Sequence, residues 1–218
     1  MQYQAVVFDM DGVIFDTERL VIEFWKEVAK KHNIPNVEHT CIQCLGTNRV
    51  RTREIFLENY GADFPFDPYR AEVTELFNTH YKGVPLPTKP GVRELLSYLQ
   101  AQDIKVGLAS STAQHLVRDE IGTAGLLPYF QTLVCGDMVE HSKPAPDIFL
   151  KACEILNADP TKSIAIEDSF NGIRSAHCAG MTPIMVPDQV QPTDEIRALA
   201  FHVMPSLLDV LNWLKTLA

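Results

Sequence analysis

The sequence predicts an α/β protein in which a parallel sheet is interrupted, after its first strand, by an all-helical insertion. Three observations predict it. Short apolar runs alternate with segments of helical period, which implies right-handed βαβ units and a sheet covered on both faces. The stretch from about residue 16 to 84 shows helical period only. Gly83-Val-Pro-Leu-Pro-Thr-Lys-Pro-Gly91 then breaks that period, as a boundary or semi-rigid connection does.

In chain order, Tyr3 to Phe8 reads as a buried strand that ends in Asp9-Met10-Asp11-Gly12. From Asp16 the period turns helical. Val21, Phe24, Trp25 and Val28 fall at i, i+3, i+4 and i+7, with Asp16 or Thr17 available as N-cap. Val50 to Tyr60 sets Ile55, Phe56 and Asn59-Tyr60 behind a basic Arg49, Arg51, Arg53 face, and Tyr69 to Tyr81 carries Val73, Leu76, Phe77 and His80. The division that follows is a core of residues 1–15 and 85–218 with a helical unit of residues 16–84 inserted into it. In the core, Val92 to Gln100 is predicted as a helix, Ile104 to Ala109 as a strand and Thr112 to Ile121 as a helix. Thr132 to Cys135 reads as a strand, Pro146 to Leu156 as a helix opened by proline in its first turn, and Ser163 to Ile166 as a strand. Asn171 to Ala179 is a helix, Pro183 to Val186 a strand, and Ser206 to Leu217 a last amphipathic helix.

Composition narrows the function classes. With 218 residues and 46% hydrophobic content the chain can bury a sizeable core. A formal charge of -9 and the lack of a dense Lys/Arg cluster argue against nucleic-acid binding. No apolar run is long enough to span a bilayer, and the N-terminus lacks the pattern of a signal peptide, so the expected location is cytoplasmic, without membrane partners. Five cysteines do not form a disulfide framework. Cys41-Ile-Gln-Cys44 matches CxxC spacing but has no second pair to complete a zinc site, and it reads as small side chains on a helix. The expected assembly is a monomer or weak dimer.

The chemistry-bearing residues stand where strands end, which is where open α/β sheets bind ligands. Asp9 and Asp11 follow the first strand, and an isolated DxDG would be read as an ordinary turn. Ser110-Ser111-Thr112 follows the second, offering hydroxyls and free backbone N–H groups to an anion, or simply an N-cap. Lys143, between Ser142 and two prolines, follows the third, and Glu167-Asp168 with Asn171-Gly172 follows the fourth. Carboxylates at two strand ends, a hydroxyl at another and a nearby lysine suit an oxygen-ligand magnesium site that also holds a phosphate.

Four segments carry a resemblance: Asp9-Met-Asp11-Gly-Val-Ile-Phe-Asp16-Thr17, Leu108-Ala-Ser110-Ser, Ser142-Lys143-Pro-Ala-Pro-Asp147 and Ile166-Glu167-Asp168-Ser-Phe-Asn171-Gly-Ile. In this order they resemble the motifs of the haloacid dehalogenase-like hydrolases, and within them the subgroup of β-phosphoglucomutase and small sugar-phosphate phosphatases. The resemblance implies a Rossmann-like core, a helical cap and Mg²⁺. It also implies Asp9 as a nucleophile forming an aspartyl-phosphate, and Asp11 as acid and base with its backbone carbonyl on the metal. Asp168, with Glu167 beside it, completes the metal site. Ser110, Ser111 and Lys143 bind the phosphoryl group of a small phosphorylated metabolite. Arg49, in Gly46-Thr-Asn-Arg49, resembles a substrate ligand of the cap, or is one of several arginines on a solvated face; Asn171 joins it as a candidate substrate ligand.

Two departures separate the chain from the mutases, which carry a histidine where Val21 stands and a lysine where Leu45 stands. The expectation is therefore a Mg²⁺-dependent phosphatase that passes the phosphoryl group to water. A β-phosphoglucomutase-type mutase and a non-catalytic phosphate-binding module are the alternatives.

Overall fold

The uncharged run at the start of the chain forms β1 (Ala5–Phe8), and in the computed structural model, which describes residues 3–217, every residue of it is buried. Parallel strands flank it on both sides. The others are β2 (Lys105–Ser110), β3 (Thr132–Cys135), β4 (Ser163–Glu167), β5 (Thr182–Met185) and β6 (His202–Val203), in the order β3-β2-β1-β4-β5-β6. Side chains alternate across the sheet as a strand's period demands. Val6 and Phe8 enter the apolar cluster on one face, with Leu95, Leu99, Val210 and Leu214, and Ala5 and Val7 enter the other, with Phe149, Ala152 and Ala176.

Register decides the site. Phe8 pairs with Leu108 on one side and Ile166 on the other, so the chain leaves the sheet at Asp9, at Ala109-Ser110 and at Glu167 on nearly one level. The Asp9 N–H still donates to the Ile166 carbonyl at 2.9 Å. Because the order runs outward from β1 to β2 and β3 and then returns to β4, the loops after β1 and β4 part and leave a crevice between them.

The insertion is helical, as its period predicts: α1 (Thr17–His32), α2 (Val37–Cys44), α3 (Arg49–Tyr60) and α4 (Phe66–Tyr81). These helices bury an aromatic cluster of their own, in which the Trp25 ring lies 4.7 Å from Phe56 and 5.0 Å from Tyr69 between centroids. The Tyr69 hydroxyl donates to the Trp25 carbonyl at 2.8 Å, so the one buried polar atom of that ring pair is satisfied. The buried stripe of α1 is rotated from the expected one: Ile22, Trp25, Val28 and Ala29 are inside, whereas Val21 and Phe24 are half-buried at its flank. α1 packs against both α2 and α4, so its apolar face is wider than one i, i+4 row.

The remaining helices are α5 (Val92–Ala101), α6 (Gln114–Thr123), α7 (Asp147–Leu156), α8 (Phe170–Cys178), α9 (Asp194–Leu199) and α10 (Leu207–Lys215). α9 and β6 were not expected from the sequence. The first is six residues and the second two, each too short to show a period, and Thr193 caps α9 by accepting the Ile196 N–H. Among the described residues no helix is long and apolar enough to cross a membrane.

The two connections to the helical insertion run side by side. Phe15 bridges Thr88, the Asp16 N–H donates to the Pro87 carbonyl, and the Lys89 N–H donates to the Ile14 carbonyl, each at 2.9 Å for the last two. Asp16 stands at the N-cap position of α1 without capping it; its carboxylate is taken by Arg19 at 2.7 Å and Lys89 at 3.5 Å. Lys89 also pairs with the half-buried Asp188 at 2.6 Å, tying the crossing point to the segment after β5.

Candidate active site

Lys143 is the pivot of the crevice. Its side chain is buried, and its ammonium donates to Asp9 Oδ1 at 2.5 Å, to Glu167 Oε1 at 2.6 Å and to the Ala109 carbonyl at 3.0 Å, so all three protons are placed. Burial pulls its pKa down, but Asp9 and Glu167 together hold it above the ordinary lysine value, so the group is a permanent cation. Glu167 Oε2 accepts from the Asp168 N–H, the Ser169 N–H and the Ser169 hydroxyl, each at 3.0 Å. Ser169 in turn caps α8 by accepting the Gly172 N–H. A chain of hydrogen bonds thus runs from a helix N-terminus through Glu167 and Lys143 to Asp9.

Asp11 is held from two sides, by the Thr17 hydroxyl at 2.7 Å on one oxygen and the Thr112 hydroxyl at 3.0 Å on the other. Burial raises its pKa and these two donors oppose the rise, leaving it above the usual aspartate value. Asp9 is raised further by burial, with Glu167 and Asp11 adding and Lys143 opposing. The carboxylate beside the lysine and the carboxylate between two hydroxyls are therefore unlike in environment, the condition that separates acid from nucleophile.

One oxygen each from Asp9, Glu167 and Asp168 lie within 4.8 Å of one another. Asp168 Oδ2 is buried without a hydrogen-bond partner, and its carboxyl is raised well above the usual range by burial and then by Glu167. Three buried carboxylates, two of them on Lys143, with an orphaned oxygen on the third, form a donor set that a divalent cation fits. Gly12, at φ +77°, keeps it open: a Cβ there would lie 2.2 Å from Asp168 Oδ2.

The other expected residues divide. Ser110 is fully buried and accepts the Thr112 N–H at 3.1 Å, while Ser111 is half-buried beside it. Asn171 is half-buried and lines a cavity of about 560 Å³ with Lys143 and the helical insertion. Arg49 does not line it: its guanidinium is exposed and paired with Asp67 at 2.8 Å. The arginine on the cavity wall is Arg51, two residues on, because half a helical turn carries it to the other side of α3. Sequence reasoning also passed over Glu18. It is half-buried in the first turn of α1, and burial, then Asp11 and Asp9, push its carboxyl well above the usual range. An acid in a first helical turn reads as an ordinary partner of the helix dipole, so the signal for it was its place directly after Thr17. Cys41 and Cys44 lie on α2, and burial pushes the Cys41 thiol well up and the Cys44 thiol to about 12, so neither is a thiolate near neutral pH.

Gly46, between α2 and α3, seats the helical insertion on this machinery. At φ +69° a Cβ there would lie 2.4 Å from the Ser169 hydroxyl that supports Glu167. Gly46→Ala is expected to hold the insertion off the crevice, cutting kcat/KM at least about tenfold with a melting temperature within a few degrees of the parent, since misplacement by about an ångström costs that much or more. Unchanged kinetics would show that this contact is not made in the working enzyme.

Carboxylates gathered around one lysine at the crevice of a parallel sheet define a ligand site of a Rossmann-like α/β protein. The sequence matches the family described as haloacid dehalogenase-like hydrolase over residues 6–186, and the chain belongs to that family. It is 34% identical over 181 residues, 83% of each chain, to the phosphorylated carbohydrates phosphatase of Thermotoga maritima. It is also 34% identical over 199 residues, 87% of this chain and 85% of the relative, to the beta-phosphoglucomutase of Bacillus subtilis. The crystal structure of beta-phosphoglucomutase from Clostridium difficile shares the fold, with a TM-score of 0.81 over 98% of this chain and 96% of that one at 24% identity.

Proposed function

We propose that the chain is a phosphatase that hydrolyses a small phosphate monoester, a sugar phosphate, with α1 to α4 as a cap over the crevice. The observation that carries the reading is the pair of unlike aspartates: Asp9 on Lys143, and Asp11 raised and steadied between Thr17 and Thr112. The Asp9 carboxylate attacks phosphorus, forming an aspartyl-phosphate and breaking the ester P–O bond, while Asp11 gives its proton to the departing oxygen. Asp11, now ionised, takes a proton from water, whose oxygen attacks phosphorus, releases inorganic phosphate and restores Asp9. Lys143 and Ser110 stand beside the phosphoryl group. The carboxylates of Asp9 and Asp168 and the Asp11 carbonyl would hold Mg²⁺, with Glu167 adjacent. When bound, the ion offsets the repulsion between an anionic nucleophile and a phosphate dianion.

Water as acceptor is supported by what replaces the polar groups of a mutase cap. Val21 packs half-buried against the cap's aromatic cluster and Leu45 is buried within it, so neither position offers a donor to a second phosphate. Purified protein with Mg²⁺ is expected to hydrolyse para-nitrophenyl phosphate and to release inorganic phosphate from members of a sugar-phosphate panel. It is expected not to interconvert glucose 1-phosphate and glucose 6-phosphate. Interconversion with little phosphate release would establish the mutase instead, and inactivity on every ester would leave a binding module.

A further inference from the structure

The cavity that opens from Lys143 toward the cap has a charge balance that bears on the far end of the substrate. Its cap wall includes Gln43, Thr47, Arg51 and Glu58, and its core wall Lys143 and Asn171. Lys143 is committed to Asp9 and Glu167. Arg51 is the other cation on the lining, and it is clamped by acids of its own helix: Nη1 donates to Glu58 Oε1 at 2.8 Å and to Glu54 Oε2 at 3.0 Å, and Nη2 to Glu58 Oε2 at 3.3 Å. Glu54 and Glu58 lie at i+3 and i+7 from Arg51 on the same helical face. Glu58 lines the cavity and Glu54 stands behind it on the same guanidinium, so the Arg51–Glu54–Glu58 cluster carries one negative charge on balance.

We infer that this cavity admits the neutral, hydroxyl-bearing end of a sugar monophosphate and rejects a second phosphate, with Glu58 on its wall and Glu54 behind it, acting through Arg51, as the specificity-determining pair. The inference rests on the phosphatase reading of the same site and adds the class of leaving group. A second phosphate dianion would bring two further negative charges to a wall whose single arginine is already neutralised, and like charge brought to like charge is an effective way to exclude a competing ligand. Hydroxyl groups meet no such barrier, and the amides of Gln43 and Asn171 and the hydroxyl of Thr47 offer them donors and acceptors.

Equilibrium binding to the Asp9→Asn protein with Mg²⁺ tests the inference without needing turnover. The ligands are glucose 6-phosphate against glucose 1,6-bisphosphate, and fructose 1-phosphate against fructose 1,6-bisphosphate. At least one monophosphate is expected to bind about tenfold or more tightly than its bisphosphate. Adding Glu54→Gln and Glu58→Gln frees Arg51 and is expected to shrink that ratio about tenfold by tightening the bisphosphate. Bisphosphates binding as tightly as monophosphates, a ratio unmoved by the double change, or no monophosphate binding at all would overturn it. Hydrolysis of para-nitrophenyl phosphate by the parent protein, measured alongside, reports separately on the phosphatase reading.

Discussion

Asp9→Asn is expected to lower ester hydrolysis by more than about four orders of magnitude, because an amide cannot form the acyl phosphate and no second nucleophile occupies its place. The fold is expected to survive. Asparagine is isosteric, it keeps an oxygen for the Lys143 ammonium, and it removes one of the carboxylates crowded around Asp168 and Glu167. Burial, Glu167 and Asp11 raise the Asp9 carboxyl in the folded chain. An acid raised by folding contributes stability that is present at low pH and lost as pH rises through its folded value. Metal-free Asp9→Asn should therefore melt at or above the parent temperature near pH 8, and the difference should narrow as the pH falls. Rate assays and melting curves across pH check both halves. Near-normal turnover would remove Asp9 from the mechanism, and a melting point several degrees lower at pH 8 would refute the account of crowded charge.

Much of the fold was legible in the sequence because period and punctuation agree in this chain. The short apolar runs bounded by turn residues read as strands buried on both faces, and Gly83 to Gly91 marked where the helical insertion returned. β6 and α9 were not legible, because two and six residues carry no period and their placement depends on pairing with β5 and packing on α8. The candidate site was legible as residue types at strand ends, since parallel register brings such ends together without further information. What no spacing rule supplies is the rotation of a helix about its axis. That rotation decided that Arg51 and not Arg49 borders the cavity, and that Ile22 and not Val21 enters the core of the helical insertion. The network around Glu167 was likewise out of reach, because Lys143 is 24 residues away and its partner Asp9 is 134 from the lysine.

That network makes Lys143 the position where the largest loss of stability is expected. Lys143→Met keeps the aliphatic stem and its packing near the Phe149 ring, which lies 5.2 Å from the ammonium, so little cavity is created. What disappears is, among the described residues, the one cation paired with Asp9 and Glu167, both buried. Breaking a buried ion pair by removing one partner costs about 3–5 kcal/mol, because the other charge stays behind without compensation. For a chain of this length that corresponds to a fall in melting temperature of roughly 6–20 °C. The pH dependence identifies the cause. In the parent, Lys143 is raised on folding, so its contribution is fully present below the ordinary lysine value, across the whole neutral range. In the variant, burial and the neighbouring Glu167 still push the Asp9 carboxyl up and Lys143 no longer opposes them, so protonating Asp9 relieves the repulsion. The deficit of Lys143→Met should then be largest near pH 8 and shrink toward pH 5, the opposite of what a packing defect would give, which is a deficit independent of pH. Melting curves of the metal-free proteins at both pH values decide between them. Equal melting temperatures at pH 8 would mean that the lysine compensates no ionised carboxylate in the resting enzyme, and that Asp9 is protonated there until a cation binds.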